Sequence, residues 1–225
     1  MGMEWYDMIA KRNGGYKNNA ISTTIGVSSE QVFEENLITM FSEYSTVLDA
    51  GCGHGEFTLK MSKYANSIIG FDNSIELITI ANELLSESKV SNVNFIHTTT
   101  KTELPFQDNQ FDLIYNRRGP TSIIEHSKVL RSGGIIYGIH VSVDKVIQKL
   151  DVNGFVDIEI HEYNSAVSYY PNEEEYAKFL TCIPGNPDYT LPENKNQLMQ
   201  KVSENMIDNK IGIREQKYIW KAVKA

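Results

Sequence analysis

Short apolar runs alternate with amphipathic segments through the first two thirds of the chain, and this alternation predicts the fold. Five runs have the length and apolar content of buried strands: 46–50, 67–72, 93–98, 111–116 and 133–141. The segments that separate them are helix-like at 56–65 and 74–88, a loop at 99–110, and the segment 120–131. Apolar strands that alternate with helices predict an α/β, Rossmann-like, doubly wound sheet with mostly parallel strands.

The last third of the chain has a different pattern. Residues 156–162 and 218–224 alternate between apolar and polar side chains, as strands near a sheet margin do. The stretch between them is polar and loop-rich with two short helix patterns, and Asn172 is placed to cap the helix that begins at Glu173. We expect a single domain over residues 1–225, made of an N-terminal cap (1–45), a core (46–162), a small helical lid insert (163–212) and a last strand (213–225).

Composition narrows the class of protein. The 225 residues are 41% hydrophobic, which is enough to bury a core, and the net charge is −8. An acidic balance disfavours a nucleic-acid partner, because phosphate contacts need a basic surface. Cys52 and Cys182 are far apart, and no Cys/His cluster predicts a metal site, so reduced thiols in a cytoplasmic protein are expected. No signal peptide and no run of about 18 apolar residues are found, so no membrane partner is expected.

The stretch VLDAGCGHGEF at 47–57 carries the most specific signal. A predicted strand runs into a GxGxG turn, and Glu56 stands where a dinucleotide-binding turn has its third glycine. Asp49 lies two residues before Gly51, so negative charge brackets the turn, and its repulsion of a pyrophosphate would cost several kcal/mol. A cationic ligand is favoured instead. S-adenosylmethionine fits, since it carries a sulfonium and an ammonium group and no phosphate.

Asp72 strengthens this interpretation. It ends the second predicted strand, 21 residues after Gly51, where a carboxylate can accept hydrogen bonds from both hydroxyls of a ribose. The alternative is that Asp72 only caps the following helix.

Four motifs in order, VLDAGCGHGEF, IIGFDNS, LPFQDNQFDLIYN and VLRSGGIIY, resemble those of class I S-adenosylmethionine-dependent methyltransferases. The resemblance runs from about residue 45 to 141, more loosely to 162, and is closest in style to the small-molecule branch that includes ubiquinone and menaquinone biosynthesis. It implies a seven-stranded sheet with an antiparallel last strand and S-adenosylmethionine as cofactor. The cofactor-binding residues that it implies are Asp49, Gly51, Cys52 and Gly53 near the methionine end, Asp72 on the ribose, Asn73 near the adenine, and Asn116.

Two departures from the family pattern affect the expected chemistry. The family usually has an Asp after the third strand, opposite the adenine amine, where this chain has Thr99 and Thr100, whose hydroxyls accept hydrogen bonds more weakly. The fourth strand ends in NRRGP, whereas enzymes that methylate adenine or glutamine amino groups tend to have an Asp/Asn-Pro-Pro-aromatic turn there. This difference argues against that chemistry.

The expected acceptor site lies at the end of the fourth strand, where this fold presents the transferable methyl group. Arg117 and Arg118 follow that strand, and a guanidinium pair suits a carboxylate or phosphate, although an arginine there could instead pair with Asp112 or a helix end. We expect the lid to close over this anion with Tyr169 and Tyr170. Tyr6 and Tyr16 are further aromatic candidates; any of these tyrosines could instead be packing residues.

His140, near the end of the fifth strand, is the best-placed histidine for a catalytic base, whereas His54 is expected to shape the glycine turn. The favoured function is methyl transfer to a small, anionic acceptor. The alternatives are an RNA or protein methyltransferase, a non-catalytic S-adenosylmethionine-binding module and, more distantly, a nicotinamide dehydrogenase.

Overall fold

The computed structural model describes residues 3–225. Met1 and Gly2, which begin the predicted N-terminal cap, lie outside the described residues. The α-helices are α1 (Met3–Asn13), α2 (Ser29–Met40), α3 (Glu56–Met61), α4 (Ile75–Glu87), α5 (Asp144–Val152), α6 (Glu173–Thr181) and α7 (Lys195–Glu204). Two 3₁₀ helices cover Thr121–Val129 and Pro192–Asn194.

Eleven strands form two sheets within the described residues. The strands are β1 (Thr23–Ile25), β2 (Thr46–Ala50), β3 (Ser67–Asp72), β4 (Val93–His97), β5 (Phe111–Arg117), β6 (Leu130–His140), β7 (Phe155–Tyr163), β8 (Val167–Tyr170), β9 (Met206–Ile207), β10 (Lys210–Arg214) and β11 (Lys217–Lys224). The main sheet has the order β4-β3-β2-β5-β6-β11-β7, in which only β11 runs antiparallel to its neighbours. The predicted doubly wound sheet of seven strands with an antiparallel last strand is therefore confirmed.

The core covers both faces of this sheet because successive side chains of a strand point to opposite faces. Val47 and Leu113 pack with Phe33 and Leu37 of α2 on one face. Leu48 and Ile114 pack on the other face, with the 3₁₀ segment at 121–129 and with α5. Burial on both faces explains why β2 and β5 are mostly apolar, and their buried polar residues Asp49 and Asn116 are hydrogen-bonded.

The lid differs from its prediction in one respect. Its two helix patterns are confirmed as α6 and α7, and the Asn172 side chain accepts a hydrogen bond from the Glu175 N–H at 2.9 Å as the N-cap of α6. In addition, β1, β8, β10 and β9 form a small antiparallel sheet in that order, so the insert is not purely helical. A two-residue turn joins β9 to β10, and Asp208 and Asn209 in it both have positive φ, the geometry of a type I′ hairpin.

Candidate cofactor and acceptor site

A cavity of about 440 Å³ lies at the carboxyl ends of β2, β3 and β5. This volume falls within the usual range of small-molecule sites, about 300–1,000 Å³. The cavity lies at the switch point of the sheet. From β2 the chain proceeds to β3 and β4 on one side, and β5 and β6 lie on the other. Open α/β sheets bind ligands at this point. Its lining comprises Tyr6, Tyr16, Glu34, Gly51, Cys52, Gly53, His54, Glu56, Phe57, Lys60, Phe71, Asp72, Asn73, Leu77, Thr99, Thr100, Arg117, Arg118, Gly119 and Pro120.

The glycine turn follows β2 and forms one wall of the cavity. Gly51, Gly53 and Gly55 all have positive φ, a conformation that side chains disfavour. A Cβ at Gly51 would lie 2.8 Å from the Gly119 Cα, so this glycine is required by the close approach of the β5 turn. A Cβ at Gly53 would meet no atom within 4 Å, which leaves open space beside the backbone where the cavity wall runs.

Asp72 ends β3 and faces the cavity. Its carboxylate accepts hydrogen bonds from the N–H groups of Gly53 and Ser74, both at 3.0 Å. Burial raises the pKa of Asp72, while these backbone N–H groups act in the opposite direction. The N-cap of α4 is Ser74, whose hydroxyl accepts from the Leu77 N–H, so Asp72 is not the helix cap that the alternative interpretation made it. Asp72 lines the cavity, and its contact with a ribose stays a prediction.

Asp49 lies behind the turn and is not part of the cavity lining. Its Oδ2 accepts hydrogen bonds from the hydroxyls of Thr58 at 2.6 Å and Tyr115 at 2.7 Å. Burial raises the pKa of Asp49 to about 6, although both hydroxyls favour the ionised form. Asp49 is thus held within the core beside the glycine turn, and its place near the methionine end of a cofactor stays a prediction.

The adenine-side candidates all line the cavity. Asn73 follows Asp72, and Thr99 and Thr100 follow β4. The Thr100 hydroxyl is 2.6 Å from that of Ser122, whereas the Thr99 hydroxyl makes a longer contact, 3.3 Å, with the Lys101 N–H. Thr99 is thus the freer of the two for a ligand.

Cys52 and Asn116 differ in their access to the cavity. Cys52 lines it, and burial together with the charges of Asp49 and Asp72 raises the pKa of its thiol. Asn116 is fully buried and outside the lining, and its Nδ2 donates to the Pro120 carbonyl at 3.0 Å. Its Oδ1 is buried without a hydrogen-bond partner among the described residues. Asn116 therefore shapes the 116–120 turn through Nδ2, and its assignment as a cofactor contact stays a prediction.

Arg117 and Arg118 line the cavity, and both lie against one carboxylate that the sequence did not single out. Glu30, in the first turn of α2, has one oxygen 2.7 Å from Nε of Arg117 and the other 3.4 Å from Nε of Arg118. The Arg117 guanidinium also lies over the Phe57 ring, 4.4 Å from its centroid. Neither arginine pairs with Asp112, whose partner is Arg131 at 2.5 Å.

The His140 ring is held by contacts outside the cavity. Its Nδ1 accepts a hydrogen bond from the Trp220 indole at 3.0 Å, and its Nε2 is 3.1 Å from the carbonyl oxygen of Gly119. Both ring nitrogens are thereby engaged, and the side chain lies outside the cavity lining. The ring is a structural link between β11 and the β5 turn, and a base at His140 stays a prediction without a contact to the cavity.

The tyrosines that line the cavity come from the N-terminal cap and not from the lid. Tyr170 is buried against Tyr176 and Phe179 in the separate core of the lid, and Tyr169 packs beside Gly212. No residue of 163–212 lines the cavity, so the lid does not cover the arginines as expected. Tyr6 and Tyr16 of the N-terminal cap line it instead.

His54 joins the N-terminal cap to the glycine turn, as its position in the turn predicted. The His54 Nδ1 accepts a hydrogen bond from the Tyr16 N–H at 3.2 Å, and its Nε2 is 3.0 Å from a Glu56 oxygen. Lys17 lies 3.2 Å from the other Glu56 oxygen. These contacts hold Tyr16 over the cavity.

Sequence reasoning missed Glu34, Phe57 and Lys60, which line the cavity, and Glu30, which contacts the two cavity arginines. Glu34 and Lys60 pair across the cavity lining at 2.6 Å, and they come from α2 and α3. No local pattern places α2 beside α3, because that contact depends on how the helices pack on the sheet. The Ser28 N-cap followed by Glu30 signals a helix start and gives no indication of the arginines.

No helix in residues 3–225 is both long enough and apolar enough to cross a bilayer. No group of three or more His, Cys, Asp or Glu side chains in the same range is arranged to hold a metal ion.

Comparison with known proteins identifies the family. Residues 42–207 match the profile of the family described as "Methyltransferase domain". This match covers more than half of the chain, and the main sheet has the Rossmann-like strand order. The chain therefore belongs to the methyltransferase domain family, as the four motifs predicted.

Individual relatives agree with this assignment. The chain is 35% identical to an uncharacterized methyltransferase, YcgJ, of Bacillus subtilis over 85 residues, which is 38% of this chain and 33% of YcgJ. It is 29% identical to demethylmenaquinone methyltransferase of Shouchella clausii over 90 residues, 39% of this chain and 38% of that protein. The match thus spans little more than a third of either relative. A functionally unknown protein of Deinococcus radiodurans has the same fold, with a TM-score of 0.71, 21% identity and coverage of 99% of this chain and 100% of the other.

Proposed function

We propose that the protein transfers a methyl group from S-adenosylmethionine to a small acceptor that carries an anionic group. The observation that carries this proposal is that Asp72 and the Arg117–Arg118 pair line one cavity. Asp72 ends β3 and the arginines follow β5, with β2 between them, so the two groups are separated by roughly 10 Å, two strand spacings. That separation leaves room for a cofactor and an acceptor side by side.

The residues present fit the cofactor. Asp72 would hold the ribose, Asn73 and Thr99 lie on the adenine side, and the open space beside Gly53 lets the ligand approach the backbone. The cofactor supplies an electrophilic methyl group on a sulfonium. The buried carboxylates of Asp49 and Asp72 favour a ligand with that positive charge.

The arginines support an anionic acceptor. Their planar forks match carboxylate or phosphate oxygens, and Phe57, Tyr6 and Tyr16 add apolar surface for the body of the acceptor. Burial raises the pKa of both tyrosines, so they stay protonated at neutral pH. The proposal therefore assigns catalysis mainly to proximity and orientation of the acceptor.

The relatives leave RNA as the rival acceptor, because the chain matches a demethylmenaquinone methyltransferase over 39% of its length and a 23S rRNA (uracil(1939)-C(5))-methyltransferase of Salmonella typhimurium over 59%. The acidic net charge of −8 supports a small-molecule acceptor against RNA. An S-adenosylmethionine-binding module without turnover is the remaining alternative, and it differs from the proposal only in the fate of the methyl group.

Two measurements test the proposal. Isothermal titration calorimetry with S-adenosylhomocysteine and with NAD is expected to show binding of the first only. A panel of small carboxylates and phosphates is then incubated with methyl-labelled S-adenosylmethionine, and labelled products are sought by mass spectrometry. Tighter binding of NAD would overturn the assignment of the glycine turn. Cofactor binding without transfer to any small molecule, but with transfer to RNA or protein, would replace the acceptor class.

A further inference from the structure

The acceptor end of the cavity is built on an ion network that extends away from the cavity. Glu30 contacts both cavity arginines, and one of its oxygens is also 2.8 Å from the Nζ of Lys217. Lys217 in turn lies 3.1 Å from Glu215. Three cations and two carboxylates therefore share this network, which leaves one net positive charge.

The network is partly shielded from solvent, so its charge balance matters. The side chains of Glu30, Lys217 and Glu215 are 23%, 18% and 14% exposed. Burial opposes ionisation of Glu30, but the guanidinium groups of Arg118 and Arg117 and the Lys217 ammonium outweigh it and lower the Glu30 pKa to about 2. Glu30 thus remains charged at any pH at which the protein would act.

Glu30 engages the arginines through only part of their hydrogen-bonding capacity. Its closest approach to each guanidinium is at Nε. Within residues 3–225, the terminal nitrogens of Arg117 and Arg118 make no hydrogen bond, and the two side chains line the cavity. The terminal N–H groups are therefore the part of each fork that remains for a ligand.

The backbone of Arg118 is held in an unusual conformation. Its φ is +63°, a left-handed conformation that is uncommon for a residue other than glycine. Its N–H donates to the Ile139 carbonyl at 3.1 Å, which fixes the backbone beside the cavity. Such a strained conformation persists only where surrounding contacts hold it in place, and strained residues are concentrated at ligand sites.

We infer that Glu30 is a positioning and specificity residue that restricts the acceptor to a monoanionic group, a carboxylate in preference to a phosphate dianion. The Glu30 carboxylate holds both guanidinium groups at Nε and leaves their terminal nitrogens for the acceptor. Glu30 also reduces the net charge of the network to +1. A bound monoanion neutralises this charge, whereas a dianion leaves a net charge of −1 in the partly shielded site. This inference rests on the proposed function, because it assigns the acceptor of the same site.

Benzoate and phenyl phosphate are suitable probes. They share one aromatic ring, which suits a cavity lined by Phe57, Tyr6 and Tyr16, and they differ in charge, since phenyl phosphate is a dianion at pH 8. Their dissociation constants are measured by calorimetry at pH 8 with saturating S-adenosylhomocysteine. The ratio of the two constants is the readout, because a partly unfolded sample changes both constants and leaves their ratio unaltered.

Three variants define the test. Glu30→Gln is expected to shift the ratio about tenfold towards phenyl phosphate, because removal of a nearby negative charge favours a dianion more than a monoanion. Lys217→Gln is expected to shift it in the opposite direction. Glu35→Gln, on the exposed side of the same helix α2 and bonded only to Gln31, removes the same charge and should leave the ratio unaltered.

The wild-type protein should bind benzoate more tightly than phenyl phosphate. A wild-type preference for phenyl phosphate, no binding of either probe, or the same ratio in Glu30→Gln and Lys217→Gln as in the wild type would each overturn the inference, while leaving cofactor binding intact. Failure of the wild-type protein to bind S-adenosylhomocysteine would instead overturn the proposed function. Retained S-adenosylhomocysteine binding in each variant confirms that it folds.

Discussion

The indole of Trp220 donates a hydrogen bond to Nδ1 of His140 at 3.0 Å, and this contact joins the antiparallel strand β11 to the edge of the candidate site. The Nε2 of His140 is 3.1 Å from the Gly119 carbonyl, and Gly119 in turn packs against Gly51 of the glycine turn. Trp220 is almost fully buried, so its N–H has no access to solvent. The histidine therefore has a structural function.

We expect His140→Ala to lower the free energy of unfolding by about 1–3 kcal/mol, because it leaves the buried Trp220 N–H without a partner. His161→Ala, at an exposed position on the edge strand β7, is the control and should change stability by less than about 0.5 kcal/mol. Urea denaturation followed by circular dichroism measures both. An equal loss in the two variants would refute the structural function of His140.

The same histidine predicts a pH dependence. Burial lowers the pKa of His140 below its ordinary value of 6.5, so the unfolded chain takes up this proton at a higher pH than the folded chain does. The stability that neutral His140 provides is fully present above about pH 6.5 and is lost as the pH falls towards the folded pKa. The difference in unfolding free energy between wild type and His140→Ala should therefore shrink between pH 7.5 and pH 5. A difference that stays constant or grows would contradict this.

Asp72→Ala should weaken the binding of S-adenosylhomocysteine by about 1.5–3 kcal/mol, the range for hydrogen bonds to a charged group. The Asp72 carboxylate also accepts two backbone N–H groups, so some loss of stability is expected as well. Calorimetry on the folded variant measures the affinity, with the exposed Asp108→Ala as the control. Affinity equal to that of the wild type would show that Asp72 only binds the backbone N–H groups of Gly53 and Ser74.

Gly51→Ala and Gly53→Ala should separate stability from binding. A Cβ at Gly51 would collide with Gly119 and Pro120, so this variant should lose stability by more than about 2 kcal/mol. A Cβ at Gly53 meets no atom within 4 Å, so the cost there is limited to the positive φ, about 1 kcal/mol. Gly53→Ala should nevertheless bind S-adenosylhomocysteine at least tenfold more weakly, because the methyl group occupies the space of the ligand. Thermal unfolding and calorimetry measure the two effects, and unaltered binding by Gly53→Ala would exclude a close approach of the ligand.

The strands of the main sheet could be predicted because their signal is local. The runs at 46–50 and 67–72 match β2 and β3 at both ends, since buried parallel strands are continuous apolar stretches bounded by turns. The hairpin of β9 and β10 was overlooked, although Asp208-Asn209 is a turn signal of the kind that such hairpins use. The sheet that contains β1 could not be predicted, because β1 is three residues long and pairs with a strand more than 140 residues later.

Part of the candidate site could be predicted because the residues at strand ends also have a local sequence signal. Gly51, Gly53 and Asp72 follow strands directly, so the fold alone brings them to one cavity. Tyr16 lines the cavity and Glu30 contacts its arginines, both from the N-terminal segment. Their positions depend on the packing of helices and loops, which no periodicity encodes. The structural contact of His140 could not be predicted because its partner, Trp220, lies on a strand that enters the sheet 80 residues later in the chain.

Thr99→Asp should tighten the binding of S-adenosylhomocysteine by about 1 kcal/mol, because a carboxylate accepts a hydrogen bond from the adenine amine more strongly than a hydroxyl does. Thr100→Asp should gain less, since the Thr100 hydroxyl is already 2.6 Å from Ser122. Thr102→Asp, at an exposed position outside the cavity lining, is the control. Weaker binding by Thr99→Asp would mean that the adenine does not lie beside this loop.

Replacement of the cavity arginines tests the acceptor site directly. Arg117→Lys and Arg118→Lys keep the positive charge but remove the planar fork, so each should raise the dissociation constant of benzoate about tenfold while the affinity for S-adenosylhomocysteine stays within about twofold. Arg117→Lys should also lower stability, because the Arg117 guanidinium lies over Phe57 and 2.7 Å from Glu30, whereas Arg118 is more exposed and 3.4 Å from the same carboxylate. Arg131→Lys is the control, since Arg131 pairs with Asp112 outside the cavity. If neither cavity variant alters benzoate binding, the arginines serve only to fix Glu30 and the charge of the acceptor is not set by them.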